Sequence, residues 1–510
     1  MTRSPLGIAA LVCAAAVTAG CGTTVPVTST MQVGAGGSGQ QPLAGLAPDG
    51  VTAPGVGSSS SGTGSGAGPA VAGPAASGGT TVTRPGAGAI TTLAAIPPKG
   101  PGWDQRYVYM GALTVNDLHT VAGGLGINLD PGDLEADANA VATYVNEHGG
   151  ILGRKLKILF RDMKTLDVAS NTESTASAAC TDFTQDRRVI ALYNPVTTID
   201  TANFRACFAR AHTPIFSASS AMLDSQAVKG LEGAFYQTAM VAWDKLAPVF
   251  VQRLKAQGWF GGWDTRLGRP SASKPPKVGI LTSTTDAGTR VAAEIKGALA
   301  AAGYRDSLVF QWTDASAGQN SSVNYFNGNG VTHVIVADLE LTAFQNSAQS
   351  QQYKPRYGIT SYNDPYTNLE SLSPKGANNG ALGIGWAPAY DVSDANDPGS
   401  TGPGEKRCMA LQEKAGQRFS GKRTARLYAL AACDSILLAV QGAVAAHGLD
   451  AGSIYRGALR VSPAFSTAVS FGNSSLTPTH LFTPSSARDL AWFADCECFK
   501  YTSKGTTATF

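Results

Sequence analysis

The residues that could do chemistry sit at what read as strand ends. Ser217, Ala218, Ser219 and Ser220 place short hydroxyls together after a predicted strand. Such hydroxyls can bind a carboxylate or cap a helix, and capping needs no ligand. Tyr193, Asn194 and Thr197 end the strand before it, as ligand groups or as turn residues. Thr284, Thr285 and Asp286, then Tyr362, Asn363 and Asp364, stand at corresponding points further on, with Trp386 beyond them. An aromatic wall with one acidic group suits an apolar or cationic solute. Gly416 to Lys422 nearly spells a phosphate-binding loop, but Arg423 stands where a magnesium-holding hydroxyl belongs and the preceding residues look helical. The sequence has no G-x-S-x-G elbow and no H-E-x-x-H pair. Its six histidines, including His119, His148 and His212, lack metal-ligand spacing. We therefore expect no catalytic residue, metal or cofactor; a hydrolase with dispersed residues is the weaker alternative.

The elements that would position these groups begin only after about residue 102. Residues 1–20 read as an export leader: Arg3, an apolar run Leu6–Val17, then the small residues Thr18, Ala19 and Gly20 before Cys21. That layout resembles a bacterial lipobox, with Thr18 where Leu is usual, and implies lipidation at Cys21 and a membrane anchor. Residues 21–102 are rich in Gly, Ser, Ala and Pro, too poor in apolar surface to offset their ordering entropy. They read as a disordered tether of about 50 Å typical reach. Beyond it, strands and helices alternate. Strands are expected at 106–113, 155–160, 189–193 and 214–216, and helices at 132–148, 168–183 and 199–211. After Phe235 the alternation restarts, with helices at 244–257, 287–301 and 341–350 and strands at 277–281, 331–337 and 356–360. This pattern predicts an α/β protein of two doubly wound, Rossmann-like units with parallel sheets. Residues 259–276 read as a surface insertion. Net charge is +3 with no basic track, so nucleic acid is not an expected partner.

One segment carries most weight. Asn146-Glu147-His148-Gly149-Gly150-Ile151-Leu152-Gly153-Arg154-Lys155 resembles the N-x-x-G-G-I-x-G-R-K segment of the leucine/isoleucine/valine-binding proteins, type I periplasmic binding proteins of branched-chain amino acid ABC transporters. Asp162, the strand 189–193, His212 to Ser217, Val278 to Leu281 with Asp286 and Gly288, and Arg426 to Ala446 follow in the family's order. The likeness implies two lobes joined by three crossovers: 103–236 with 388–465, and 237–387 with 466–510. It implies a small-molecule solute, an amino acid or a related amide or carboxylate, held between closing lobes. The loop at Ser217, Ser219 and Ser220 would hold a ligand carboxylate. A permease and ATPase would be the partners, the protein would be a monomer, and a ligand sensor without transport is the alternative. Where the family has Asp-Tyr-Gly this chain has Asp286-Ala287-Gly288, which removes a ring that closes over an amino acid. Of eight cysteines, Cys13 lies in the leader and Cys21 would be acylated. Neighbours in the expected fold favour Cys180 with Cys207 and Cys408 with Cys433, although sequence alone leaves the pairing open. Cys496 and Cys498 are left as a C-E-C pair, for which a bond spans one residue; a redox or metal role is the alternative.

Overall fold

A computed structural model describes residues 96–124, 129–313, 315–338, 340–399 and 401–510. The leader, Cys21 and nearly all of the expected tether lie outside the described residues. Strands β1 (Tyr107–Thr114), β2 (Lys155–Asp162), β3 (Leu192–Asn194), β4 (Ile215–Ser217) and β5 (Phe235–Gln237) form one parallel sheet in the order β2-β1-β3-β4-β5. Strands β1, β3, β4 and β5 are largely apolar and buried, as expected where helices cover both faces of a parallel sheet, whereas the edge strand β2 alternates, with Lys155 and Lys157 exposed. A two-stranded ribbon, β6 (Trp263–Asp264) and β7 (Arg269–Pro270), comes next. The second sheet contains β8 (Val278–Ser283), β9 (Ser307–Trp312), β10 (His333–Val336), β11 (Arg356–Thr360) and β12 (Leu382–Gly385). These run parallel in the order β9-β8-β10-β11-β12, the same winding as the first sheet. Antiparallel β13 (Ser486–Phe493) and β14 (Cys498–Tyr501) extend it, and β15 (Ala508–Thr509) pairs with the start of β13.

The Gly-Gly segment shows why the expected turn forms. Asn146 ends the helix Leu134–Glu147 and clamps the start of β2: its Nδ2 donates to the Leu156 carbonyl at 2.9 Å and its Oδ1 accepts from the Leu156 N–H at 2.6 Å. Gly150 has φ +68°, and a Cβ there would lie 2.1 Å from the Arg154 carbonyl oxygen, so only glycine fits.

The chain leaves the first sheet after β5 through residues 238–242 and enters the helix Trp243–Ala256, which packs on the second sheet. It returns after β12 through Trp386–Asp391 to the helices Pro403–Lys414, Arg423–Ala446 and Ala451–Val461. The helix Arg423–Ala446 is long and apolar enough to cross a membrane, yet most of it is buried against the helix Leu134–Glu147 and its neighbours. Residues 466–483 still belong with the first sheet. Asp434 accepts from the N–H groups of Ala468 and Val469, and Gln237 pairs with Leu481 and Thr483. We therefore place the third passage after Thr483, later than the boundary at 465/466. One apolar core joins the lobes: it runs from Val108, Val141 and Leu430 through Trp243, Tyr362 and Trp386 to Ile280 and Ile295.

Disulfides join Cys180 to Cys207, Cys408 to Cys433 and Cys496 to Cys498. Residues 259–276 differ from the expected surface insertion at both tryptophans. Trp259 is wholly buried, donates from Nε1 to the Tyr357 carbonyl and packs edge-on against His333. Trp263 donates to the Lys354 carbonyl, which ties the ribbon down.

Candidate functional site

The carboxyl ends of β3 and β4 bring the first lobe's hydroxyls together. Asn194 Oδ1 accepts from the Val196 N–H at 2.9 Å, and Thr197 Oγ1 accepts from the Ser220 N–H at 2.9 Å. Ser217 and Ser219 have no exposed surface. Both hydroxyls donate to Asp200 Oδ2, at 2.7 and 2.5 Å, and Asp200 Oδ1 pairs with the buried Arg205 guanidinium at 2.7 Å. The expected ligand contacts at Ser217 and Ser219 are therefore corrected. Their hydroxyls satisfy a buried ion pair, because a carboxylate and guanidinium taken out of water need every available donor and acceptor. Ser220 alone of the three keeps partial exposure.

Tyr362 and Trp386 also differ from the expected aromatic wall. Each has no exposed surface, so neither meets a solute in this conformation. The Tyr362 hydroxyl donates to the Val241 carbonyl at 2.7 Å, and Trp386 Nε1 donates to the Ala239 carbonyl at 2.9 Å. Tyr362 stacks on Trp243 with ring centroids 5.4 Å apart. These rings fill the hinge and hold its first strand to the second lobe. Tyr193 is buried in the first lobe, its hydroxyl 3.5 Å from the Tyr428 carbonyl, and burial pushes its phenol well up.

Thr284 and Asp286 stand exposed at the end of β8. Thr285 between them caps the following helix by accepting from the Gly288 N–H. One turn into that helix, Arg290 reaches across to the first lobe and grips Asp224 with Nε–Oδ2 2.5 Å and a second bond of 2.9 Å. The interlobe pair has no counterpart in the sequence reading.

Asp364 is where groups of both lobes converge. It follows β11 with φ +44°, a left-handed conformation that non-glycine residues seldom adopt and that concentrates at functional sites. Loss of surrounding water and the nearby Asp391 raise its carboxyl to about 7, against the Thr367 N–H, which donates to it and favours the charged form. Its charge acts on Tyr390 and Tyr428, which come from the second passage and the helix Arg423–Ala446. Ser220 beside the Tyr390 hydroxyl favours its charged form, against the burial that raises it. Burial holds both phenols protonated, Tyr428 up to about 12. Tyr390 and Tyr428, on the elements that carry the chain back to the first lobe, thus lie within electrostatic reach of Asp364, and Ser220 lies beside Tyr390. The sequence reading missed the two tyrosines; Tyr428 is the single aromatic residue of the helix Arg423–Ala446, and that was the available signal. A second carboxyl, Asp338 after β10, is raised by loss of water and by Glu340. Its carbonyl accepts from Asn363, the neighbour of Asp364.

Solved structures resemble this architecture over most of its length. An ABC transporter substrate-binding protein from Desulfitobacterium hafniense in complex with Leu aligns at a TM-score of 0.52 and 12% identity, covering 78% of this chain and 100% of that one. A solute-binding protein of an ABC transporter from Rhodopseudomonas palustris HaA2, in complex with p-hydroxybenzoic acid, gives 0.55 and 14%, covering 79% and 97%. A fatty acid ABC transporter substrate-binding protein from Thermomonospora curvata gives 0.53 and 13%, covering 81% and 94%. The fold is that of a type I periplasmic binding protein. No protein-family model and no curated protein matches the chain.

Within the binding-protein fold, the near-phosphate-loop letters have a different fate. Gln417, Arg418, Phe419 and Lys422 line a polar cavity of about 550 Å³ with Asp130, Asp133 and Glu135. Lys422 Nζ lies 3.6 Å from Asp130. A wall this acidic opposes a phosphate, so the stretch is a solvated connection between two helices. Among the described residues no group of three or more His, Cys, Asp or Glu is placed to hold a metal ion.

Proposed function

We propose that this chain is an exported solute-binding protein that takes a small organic solute bearing an amine or other cationic group between its lobes and presents it to an ABC importer. The observation that carries this reading is Asp364, a left-handed residue at the end of the second lobe's strands, whose charge acts on Tyr390 and Tyr428 of the opposite lobe. A carboxyl held near its titration point becomes charged when a cation arrives, and phenol faces and hydroxyls complete a polar, aromatic site. The neighbours' ligands, leucine, p-hydroxybenzoic acid and fatty acids, are all carboxylates. Here the serines expected to take a carboxylate are bound to Asp200, which favours a solute recognised through its cationic end. Thr197, Ser220, Thr284, Asp286 and Asp364 are the expected residues that keep exposed surface and belong to this reading. The protein binds and releases its solute without turnover, is anchored through Cys21, and acts as a monomer.

A thermal-shift screen over amines, amino acids, amides and aromatic acids tests it. A hit with a basic group should raise the melting temperature of the native protein, and Asp364→Asn should weaken that hit at least tenfold. Hits confined to acids lacking an amine would refute the cationic reading.

A further inference from the structure

The tip of the β13–β14 hairpin carries a feature that solute binding does not use. Cys496 and Cys498 are bonded across Glu497. Cys496 is exposed, whereas Cys498 retains only 7% of its surface at the start of β14. The side-chain amide of Asn396, from the second passage, donates to Cys498 Sγ at 3.1 Å. Glu497 between the two has φ +49°, a backbone conformation unfavourable for a residue with a Cβ. The other disulfides are placed differently: Cys180, Cys408 and Cys433 have no exposed surface, and Cys207 is half-buried in its helix.

We infer that Cys496–Cys498 is a thiol–disulfide exchange site, open to an external dithiol at Cys496 and built to release Cys498 as the leaving thiolate. Exchange needs an accessible sulfur to attack and a leaving sulfur whose negative charge is stabilised. A dithiol thiolate attacks Cys496 Sγ, the protein S–S bond breaks, and its electron pair passes to Cys498 Sγ. Asn396 supplies a hydrogen bond to that developing charge, and the thiolate then takes a proton from solvent. The second thiol of the reductant attacks the mixed disulfide and releases Cys496. The protein gains two electrons and two protons, and the dithiol becomes a disulfide. Opening the ring also frees Glu497 to leave its left-handed conformation, which favours the reduced product. The reverse sequence, driven by an external disulfide, recloses the ring.

The test treats the folded full chain with limiting dithiothreitol, quenches with an alkylating reagent and follows each cysteine by peptide mass spectrometry. Cys496 and Cys498 should be labelled at least tenfold faster than the other four, and Asn396→Ala should slow their labelling about threefold as the leaving sulfur loses its donor. Protection of Cys180, Cys408 and Cys433 in the same sample reports that the variant is folded. Equal labelling rates for all three pairs, or an unchanged rate in folded Asn396→Ala, would overturn the assignment.

Discussion

At the scale of single residues, identical side chains do opposite work a few positions apart. Ser217 and Ser219 complete the shell of a buried Asp200–Arg205 pair, while Ser220 meets Tyr390 across the hinge. Removing one charge of a buried pair strands the other. Asp200→Ala should therefore destabilise the fold by about 3–5 kcal/mol, and Ser219→Ala by about 1 kcal/mol, both measured by denaturant unfolding. Ser219→Ala should leave solute affinity unchanged, whereas Ser220→Ala should lower it. Asp364 makes a pH prediction. Its folded carboxyl titrates at about 7, above its value of about 3.9 in an unfolded chain. The folded state thus binds the extra proton between those values, and this residue's contribution to stability falls as pH rises from about 4 to about 7. A cationic solute selects the ionised form, so affinity should climb as pH rises through about 7 and level off above it. Calorimetric titration at several pH values should show that slope, and Asp364→Asn should flatten it.

At the scale of elements, the alternation of strand and helix was legible wherever an apolar run lay between clear turns. The helix Leu341–Ser350 and the strand Arg356–Thr360 fall where the pattern predicts. Three misses have physical reasons. The helix predicted over 168–183 is broken at Asn171, whose φ of −136° ends one helix and starts the next. The strand Ser307–Trp312 lies at the sheet's edge with most of its side chains half-buried, so its apolar pattern is diluted. The hairpin Ser486–Tyr501 was invisible because the eye expects crossover helices in a parallel sheet, and antiparallel strands added to its rim need none. Helix contacts at small residues were equally silent. Gly457 lies so close to the helix Arg423–Ala446 that an added Cβ would sit 1.8 Å from the Gly442 carbonyl oxygen. Gly457→Ala should force the pair apart and lower stability by about 1–3 kcal/mol, read as a lower urea midpoint. Cys408 and Cys433 staple that same long helix to its predecessor across 25 residues. Replacing both with Ala should remove about 3 kcal/mol.

At the scale of the whole molecule, two sheets of like winding share one core through three passages, and the Arg290–Asp224 pair spans the lobes away from the hinge. The proposed site lies where the sequence led us to look, beyond the carboxyl ends of the strands of open α/β sheets. Which groups remain available there was not legible in advance, since the hinge rings are held by partners more than a hundred residues away and the serines by an aspartate in a different loop. Solute held by both lobes stabilises their closed arrangement only by binding it more tightly than the open one. Small-angle scattering of the protein, titrated with an amine-bearing hit from the thermal screen, tests this most directly. The radius of gyration should contract on saturation, and Asp364→Asn should shift that contraction to higher solute concentration. A solute that saturates the protein with no change in radius would contradict a site built between two closing lobes.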